Sequence, residues 1–598
     1  MGSENARPPH EKNLVQIDSV PTLVAAEKAR LLREAGLSET QHHFRRPSEK
    51  PFTAQERGRV TILFGGLTWK HDNLIKAVFE GSGYRCQNIP TSDVAAFQLG
   101  KQYGNNGQCN PTYFTVGNLI QYLQRLEARG LSRQEILDNY VFFTAGSCGP
   151  CRFGMYESEY RLGLQNAGFD GFRVLLFQEG DGIKAASGEP GLKFTVDFGM
   201  GMLNALNLGD VMNLMIYFIR PFEVNRGEAD RIFSEAMDGL CRTLRYRERF
   251  EILERSPAWL SRWLAKTPAV KNPLATLGKV REHLYGKMYR EALRECRDRL
   301  NRIEVDRTRV KPVVKITGEF WAQTTEGDGN FNMFAFLERE GAQVLVEPIA
   351  TWVMYLLHQA KAAALSRKGL DAPHHKPAWW QLQKRLANEL HFRKKWLLLS
   401  AAEGIYSRQY HRVVKALGEV AHPLVPQDEL ARLARPFYHQ LARGGEAYLE
   451  VGKNIYYTVN NMAHMVLSLK PFGCMPSSQS DGVQSAVVNH FKDMIFLPIE
   501  TSGEGEINAH SRVQMALGDA KAKAKREFQQ VLESTGKRLE DIKAYVADHP
   551  ELRRPTYHVP HRPGVVGTAA NFVLHVSDRM NRDARWLRLP GRTKRAVA

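Results

Sequence analysis

Residues 140–160 read YVFFTAGSCGPCRFGMYESEY. The opening YVFFTA is apolar and β-favouring, GSCGPC brings the glycine and proline of a turn, and RFGMYESEYRLGLQNAGF carries apolar residues at helical spacing up to a glycine stop. Strand, turn and helix in that order are the repeating step of an α/β protein. The turn also carries Cys148 and Cys151. Two thiols at that spacing can share one partner: each other, as a redox disulfide, or a metal ion that also recruits cysteines from elsewhere in the chain.

The same step recurs on both sides. VTILFGGL from Val60 reads as a strand and a glycine turn before the helix DNLIKAVFEGSGY, and RCQNIP is a second strand. TSDVAAFQLGKQYG reads as a connecting segment, TVGNLIQYLQRLEARG as a helix closed by glycine, and RVLLFQ as the strand after the central unit. This alternation predicts a mostly parallel sheet covered on both faces, with ligands at the carboxyl ends of its strands. From Val313, KPVVKITGEFWAQTTEGDGNFNMFAFLEREGAQVLVEP repeats strand, glycine loop, helix, glycine stop and strand. Further on, VLSL is a strand, PFGC the loop at its end and DMIFLPIE another strand, so Cys474 has the setting in the second half that Cys148 has in the first.

The expected fold class is therefore α/β, with two similar flavodoxin-like or Rossmann-like parallel-sheet domains. Residues 1–57 form an N-terminal extension with a short helix ending at Gly36, and 58–227 the first α/β domain. Residues 228–310 are a helical connector, 311–505 the second α/β domain with a helical insertion at about 351–451, and 506–598 a C-terminal helix and basic tail.

A chain of 598 residues is too long for one core, and 43% hydrophobic with 24% charged residues is ordinary for a globular protein. No uninterrupted run of about eighteen apolar residues occurs, and the opening MGSENARPPHEKN lacks the apolar core of a signal peptide. A cytoplasmic protein without a membrane partner is the expectation. The net charge of +18 implies attraction to a polyanion, whether nucleic acid, a phosphorylated cofactor or an acidic protein. The excess lies in KPAWWQLQKRLANELHFRKK (376–395) and RMNRDARWLRLPGRTKR (579–595), read as solvated faces or a loose tail.

Seven cysteines, an odd number thinly spread, do not make a disulfide framework. Cys109, Cys148, Cys151 and Cys474 all sit beside Gly, Pro or Asn in loop contexts, whereas Cys86, Cys241 and Cys296 read as buried free thiols. Cysteines on loops at strand ends can converge in the crevice of an α/β protein, where thiolates suit an iron–sulfur cluster or zinc. A thioredoxin-like dithiol at Cys148 and Cys151, a structural zinc and unrelated cysteines are the alternatives. Two glycine loops, at Gly65 with Gly66 and at Gly318, could present amides to phosphate groups or be ordinary βα turns. Arg152 could stabilise a reduced cluster or a carbonyl oxygen, or be an ordinary paired surface arginine. Glu319 could be an acid or base, or a helix-cap carboxylate. No Ser/His/Asp order and no H-E-x-x-H spacing supports hydrolase chemistry.

Five segments in one order carry a resemblance: YGNNGQCNPTYFTVGNLI, TAGSCGPCRFGMYESEYRLGLQNAGF, RPFEVNRGEADRIF, KITGEFWAQTTEGDGNFNMFAFLEREGAQV and VLSLKPFGCMPSSQSDGV. Between Val60 and Ser534 the chain resembles the 2-hydroxyacyl-CoA dehydratase family and its relatives, large proteins associated with CoA-substrate-specific enzyme activases. The resemblance implies a pair of α/β domains holding an oxygen-sensitive iron–sulfur cluster at their interface. Its ligands would be Cys109, Cys148 or Cys151 or both, and Cys474. In that family a separate ATP-hydrolysing activase delivers a low-potential electron, which the dehydratases use to make a ketyl radical from a 2-hydroxyacyl-CoA thioester; relatives with double-cubane clusters reduce small molecules.

This chain departs from the family in two respects. It has no P-loop and no Asp-x-Gly-Ser/Thr motif, the nearest string being DFGMGM at Asp197, so the ATPase would be another polypeptide. Four candidate ligands suit one [4Fe-4S] cubane and are too few for the six of a double cubane. The expected activity is radical dehydration or reduction of an acyl-CoA-like substrate, as a lyase or as the component of an ATP-dependent reductase. The glycine loops at Gly65, Gly66 and Gly318 would then face CoA phosphates. The expected partners are the activase, an acyl-CoA and further copies of the chain. The alternatives are a non-catalytic electron relay or scaffold in such a system, and a basic nucleic-acid-associated protein with a structural metal.

Overall fold

Strands buried on both faces tend to be apolar throughout, and eight strands form two four-stranded sheets, each wholly parallel. The structure, a computed structural model, describes residues 20–35, 49–146, 151–178, 191–246, 251–254, 256–368, 370, 373, 377–442 and 444–587. Residues 1–48 form a unit separate from the rest, and within it lies one described helix, α1 (Val20–Glu34). Gly36, read as its cap, lies outside the described residues.

The first sheet is built from β1 (Thr61–Phe64), α2 (Trp69–Gly81), β2 (Arg85–Asn88), α3 (Val94–Tyr103), α4 (Asn110–Ala128), α5 (Arg133–Asn139), β3 (Tyr140–Gly146), α6 (Tyr156–Asn166) and β4 (Arg173–Gln178). Its strand order is β2-β1-β3-β4. Then come α7 (Val196–Ile219), α8 (Glu228–Arg245), α9 (Ala258–Lys266), α10 (Pro268–Tyr285) and α11 (Lys287–Leu300). The second sheet comprises β5 (Val313–Gly318), α12 (Phe320–Thr324), α13 (Met333–Arg339), β6 (Gln343–Leu345), α14 (Ile349–Ser366), α15 (Leu382–Ala416), α16 (Gln427–Ala434), α17 (Tyr448–Val459), β7 (Met465–Pro471), α18 (Met475–His490) and β8 (Phe496–Thr501). Its order, β6-β5-β7-β8, repeats that of the first. The chain closes with α19 (Glu506–Thr535), α20 (Leu539–Ala547) and α21 (Thr568–Leu587).

This strand order reverses direction between β1 and β3 and again between β5 and β7, where α/β sheets open a crevice at their carboxyl ends. Gly65 and Gly66 follow β1, Gly318 ends β5 and Cys474 follows β7.

One apolar core runs through both sheets, from Phe52 to Val566. The element that joins them is α7, whose Leu208, Val211, Met212 and Met215 are buried. Asp210 on this helix accepts hydrogen bonds from the Ile349 and Ala350 amides at 2.6 and 2.8 Å and meets His71 Nε2 at 3.1 Å, so one carboxylate ties α7, α2 and the start of α14 together. The span Val196–Phe222 is long and apolar enough to cross a membrane by length and composition. It is not an unbroken apolar run, because Asp197, Asn204, Asn207, Asp210 and Asn213 interrupt it. The 78% burial of its apolar window inside the protein is the setting of a core helix.

Two segments are more ordered than their sequence suggested. The connecting segment at 91–104 is helix α3, started by Asp93, whose carboxylate accepts the Ala96 amide at 2.7 Å. It packs on α4 through glycines: a Cβ on Gly100 would lie 1.9 Å from Tyr113 O, and one on Gly117 1.7 Å from Ala96 O. The tail is no loose end up to residue 587, because α21 buries Phe572, Val573 and Val576 against Phe528 and Ile542. In the basic stretch at 376–395, Lys384, Arg385, Lys394 and Lys395 are exposed as expected, and so are Leu382, Leu386 and Leu390.

Candidate functional site

Cys109 ends the loop between α3 and α4 and is the residue before the first turn of α4, with Pro111 inside that turn. The second lobe presses directly on it. The Asn110 amide donates to Phe472 O at 3.1 Å, and Asn110 Nδ2 donates to Thr501 O at 2.7 Å. Gly473, at φ +75°, approaches so closely that a Cβ there would lie 3.4 Å from Cys109 Cα, 3.2 Å from Gln108 O and 3.7 Å from Arg152 Nη1. Only glycine gives the PFGC loop both that backbone angle and that contact. Cys474 follows as the buried residue before α18.

Cys151 precedes a short 3-10 turn, Arg152–Met155, that leads into α6. Burial pushes its thiol up to about 12, the Phe153 amide opposes this, and the nearby Glu319, Glu446 and Cys109 add to the rise. The Cys474 thiol is raised further, by burial first and then by Glu319, while Ser477 pulls the other way. Cys109, Cys151 and Cys474 therefore share one crevice, each immediately before a helical turn, where the positive end of the backbone favours a thiolate. Cys148 lies outside the described residues. Cys86, Cys241 and Cys296 are buried within apolar packing, as their sequence contexts suggested.

Two side chains that the sequence did not single out complete the Cys109 environment. Tyr156 OH and Thr112 Oγ1 each lie 3.2 Å from its sulfur. Thr112 stands three residues after Cys109, the usual spacing between a helix cap and its partner, and that signal was legible. Tyr156 comes from α6 and was identifiable only by proximity. Arg152 is no free catalytic cation: its Nη1 donates to Gly107 O, which clamps the Cys109 loop to the Cys151 turn.

Carboxyls line the opposite wall. Glu319 is the cap of α12, accepting the Ala322 amide at 2.9 Å and also hydrogen-bonded by the Trp321 amide. Burial nevertheless pushes its carboxyl well above the carboxylate range, and Glu450 adds to the push. The cap reading of this residue holds, on a carboxyl that burial raises. Glu446 is buried, raised by burial and by Glu319 against the pull of Lys453, and its Oε1 has no hydrogen-bond partner. It lies between Gly445 at φ +50° and Ala447 at φ +41°, a left-handed stretch that costs an alanine energy and aims Glu446 inward. Glu450 is instead committed, accepting Ser468 Oγ at 2.7 Å and pairing with Lys470 Nζ at 3.1 Å.

The glycine loops have their amides occupied. Gly318, at φ +110°, is needed because a Cβ would lie 2.0 Å from Leu469 O, and the amides after it serve Glu319. Those of Gly66 and Leu67 serve Asp72, while Gly65 packs on Ile89. Each loop is thus an internally capped βα turn, and a phosphate would have to displace a carboxylate. DFGMGM is likewise structural, with Asp197 bound by Lys279 at 2.7 Å and His283 at 3.2 Å.

Asp72 offers a stability test. Burial pushes its carboxyl up to about 7, although the Leu67 and Gly66 amides pull it down. A folded value above the unfolded one means that the folded chain keeps a proton the unfolded chain loses, so this group's contribution is intact at low pH and is lost as pH rises toward 7. The Asp72→Asn variant, which never ionises, is expected to gain stability over wild type between pH 4 and pH 8, by up to about 4 kcal/mol. Urea unfolding of both proteins across that range checks it, and a constant difference would refute it.

Three described cysteines, Cys109, Cys151 and Cys474, lie near the place where the two lobes meet, and Gly473 makes room for that contact. Among the described residues, however, no group of three or more Cys, His, Asp or Glu is arranged to hold a metal ion, so the described sulfurs do not close a ligand shell by themselves. No protein-family model matches the chain, and no curated protein matches it.

Proposed function

We propose that the chain is an iron–sulfur protein of the activase-dependent 2-hydroxyacyl-CoA dehydratase type, receiving a low-potential electron from a separate ATP-hydrolysing activase. The observation that carries this reading is the contact of the PFGC loop with Cys109 and Arg152, which gathers cysteine-bearing loops from both lobes into one crevice. Cys109, Cys151 and Cys474, with Cys148, would hold a [4Fe-4S] cluster. When bound, that group supplies one electron at low potential and, if a protein ligand is missing, an open iron site. The chain's own residues do the remainder: Arg152 fixes the loop carrying Cys109, and the Glu319 and Glu446 carboxyls, raised by burial, stand near the thiols. An acyl-CoA-like substrate in the crevice would be dehydrated or reduced, and a relay without substrate is the same site with all its iron positions closed.

Protein purified without oxygen is expected to carry about four irons and four sulfides per chain. Its reduced form should show the paramagnetic resonance of a cubane. Cys109→Ala and Cys474→Ala should each remove most of the iron. Zinc without sulfide, or a Cys148–Cys151 disulfide in active protein, would overturn the reading. Binding of an acyl-CoA, set against salt-sensitive binding of nucleic acid, separates this function from that of a basic nucleic-acid-associated protein.

A further inference from the structure

Two hydroxyls reach the Cys109 sulfur, whereas the Cys474 sulfur has the hydroxyl and amide of Ser477. Tyr156 OH reaches Cys109 from the start of α6, and Thr112 Oγ1 from the first turn of its own helix, both at 3.2 Å. Cys109 and Tyr156 are buried, 5% and 7% exposed, so water does not compete for these contacts. The Tyr156 ring is held edge-on by Phe153 at a centroid distance of 5.1 Å, which leaves its hydroxyl little choice of direction.

A protonated thiol could donate to either oxygen, but a thiolate or a metal-bound sulfur offers only lone pairs. In that state a hydroxyl that bonds to it must donate, and the Thr112 proton has two acceptors within reach, the sulfur and the Tyr156 hydroxyl. The Cys109 backbone is meanwhile held by the second lobe through Phe472 and Gly473. One lobe fixes where the sulfur sits, and the other decides how much negative charge it can carry.

We propose that Tyr156 and Thr112 are tuning residues for the electron-carrying site, a paired hydroxyl clamp that stabilises the more reduced state through the Cys109 sulfur. This rests on the iron–sulfur reading above. Hydrogen bonds to a ligand sulfur draw off charge and favour the electron-rich state, so they raise the reduction potential. Neither residue touches substrate, and the effect is on the potential and not on assembly.

The test is a redox titration of the anaerobically purified full chain followed by paramagnetic resonance, with iron and sulfide measured on the same samples. Tyr156→Phe and Thr112→Val, both close to isosteric, are expected to keep wild-type iron and sulfide while shifting the midpoint to more negative potential. The double variant should shift further than either, and Thr112→Ser, which keeps the hydroxyl, should match wild type. Wild-type potentials in both Tyr156→Phe and Thr112→Val at full cluster content would overturn the proposal and leave the iron–sulfur reading standing. A loss of iron in Tyr156→Phe together with an unshifted Thr112→Val would also overturn it, by making the tyrosine a packing residue. A wild-type protein without iron and sulfide removes the reading beneath, and this inference with it.

Discussion

Gly117→Ala is expected to destabilise the protein by about 3 kcal/mol or more, at the upper end of overpacking effects. The added methyl would lie 1.7 Å from the Ala96 carbonyl oxygen and 2.5 Å from the Gly100 amide nitrogen. Both are backbone atoms of α3, so no side chain can swing away; the helices must part. The reciprocal glycine on α3, Gly100, faces Tyr113 O in the same manner. A matched control comes from glycines in open helical positions. At Gly404 on α15 and Gly518 on α19 nothing lies within 4 Å of the added carbon. There, alanine should stabilise by about 0.5–1 kcal/mol through helix propensity alone. Opposite signs for the same substitution, measured by urea unfolding, are the signature of contact and not of helix propensity. Parting α3 from α4 would also move Cys109, which lies between them, so Gly117→Ala should lower bound iron as well as stability.

Removing the ammonium of Lys315 is expected to cost about 3–5 kcal/mol. This lysine is fully buried on β5, where its Nζ meets Glu347 at 2.6 Å and donates to Val346 O at 3.1 Å. Burial draws the ammonium down to about 8, with Glu347 opposing the fall. Burial also pushes the Glu347 carboxyl up, but Lys315 and Lys453 outweigh it and hold the group low. Both directions leave the pair charged at neutral pH, and the attraction to the lysines is the effect that decides it. Lys315→Met strands the carboxylate in the core, whereas Lys315→Met with Glu347→Gln removes both charges. The single variant should therefore be much less stable than the double one in thermal or urea unfolding. Equal losses in the two would mean that the pair is not coupled.

The site was legible in proportion to how local each signal is. Cys151 and Cys474 carry their setting with them, since a strand, a Gly/Pro turn and a helix start all lie within a few residues. Glu319 was equally accessible as a cap because its partner amide is three residues away. Glu446 was not, because the glycines before it mark a turn but not which way the carboxyl faces. The glycine loops read either as phosphate cradles or as ordinary βα turns, and their pattern does not say that Asp72 and Glu319, close by in the chain, take amides of those loops. Helix α3 was missed because its amphipathic signal is weak and its stability comes from backbone contact with α4.

By itself the sequence determined that this is an α/β protein with a duplicated βα pattern, and that Cys151 and Cys474 follow strands. Apolar runs, periodicity and glycine punctuation act over a few residues and are written directly in the chain. Tertiary structure alone decided the strand orders β2-β1-β3-β4 and β6-β5-β7-β8, the burial of α7 between the lobes, and the meeting of Gly473 with Cys109. Those depend on which distant surfaces exclude water together, a property of the packed whole that no local pattern encodes.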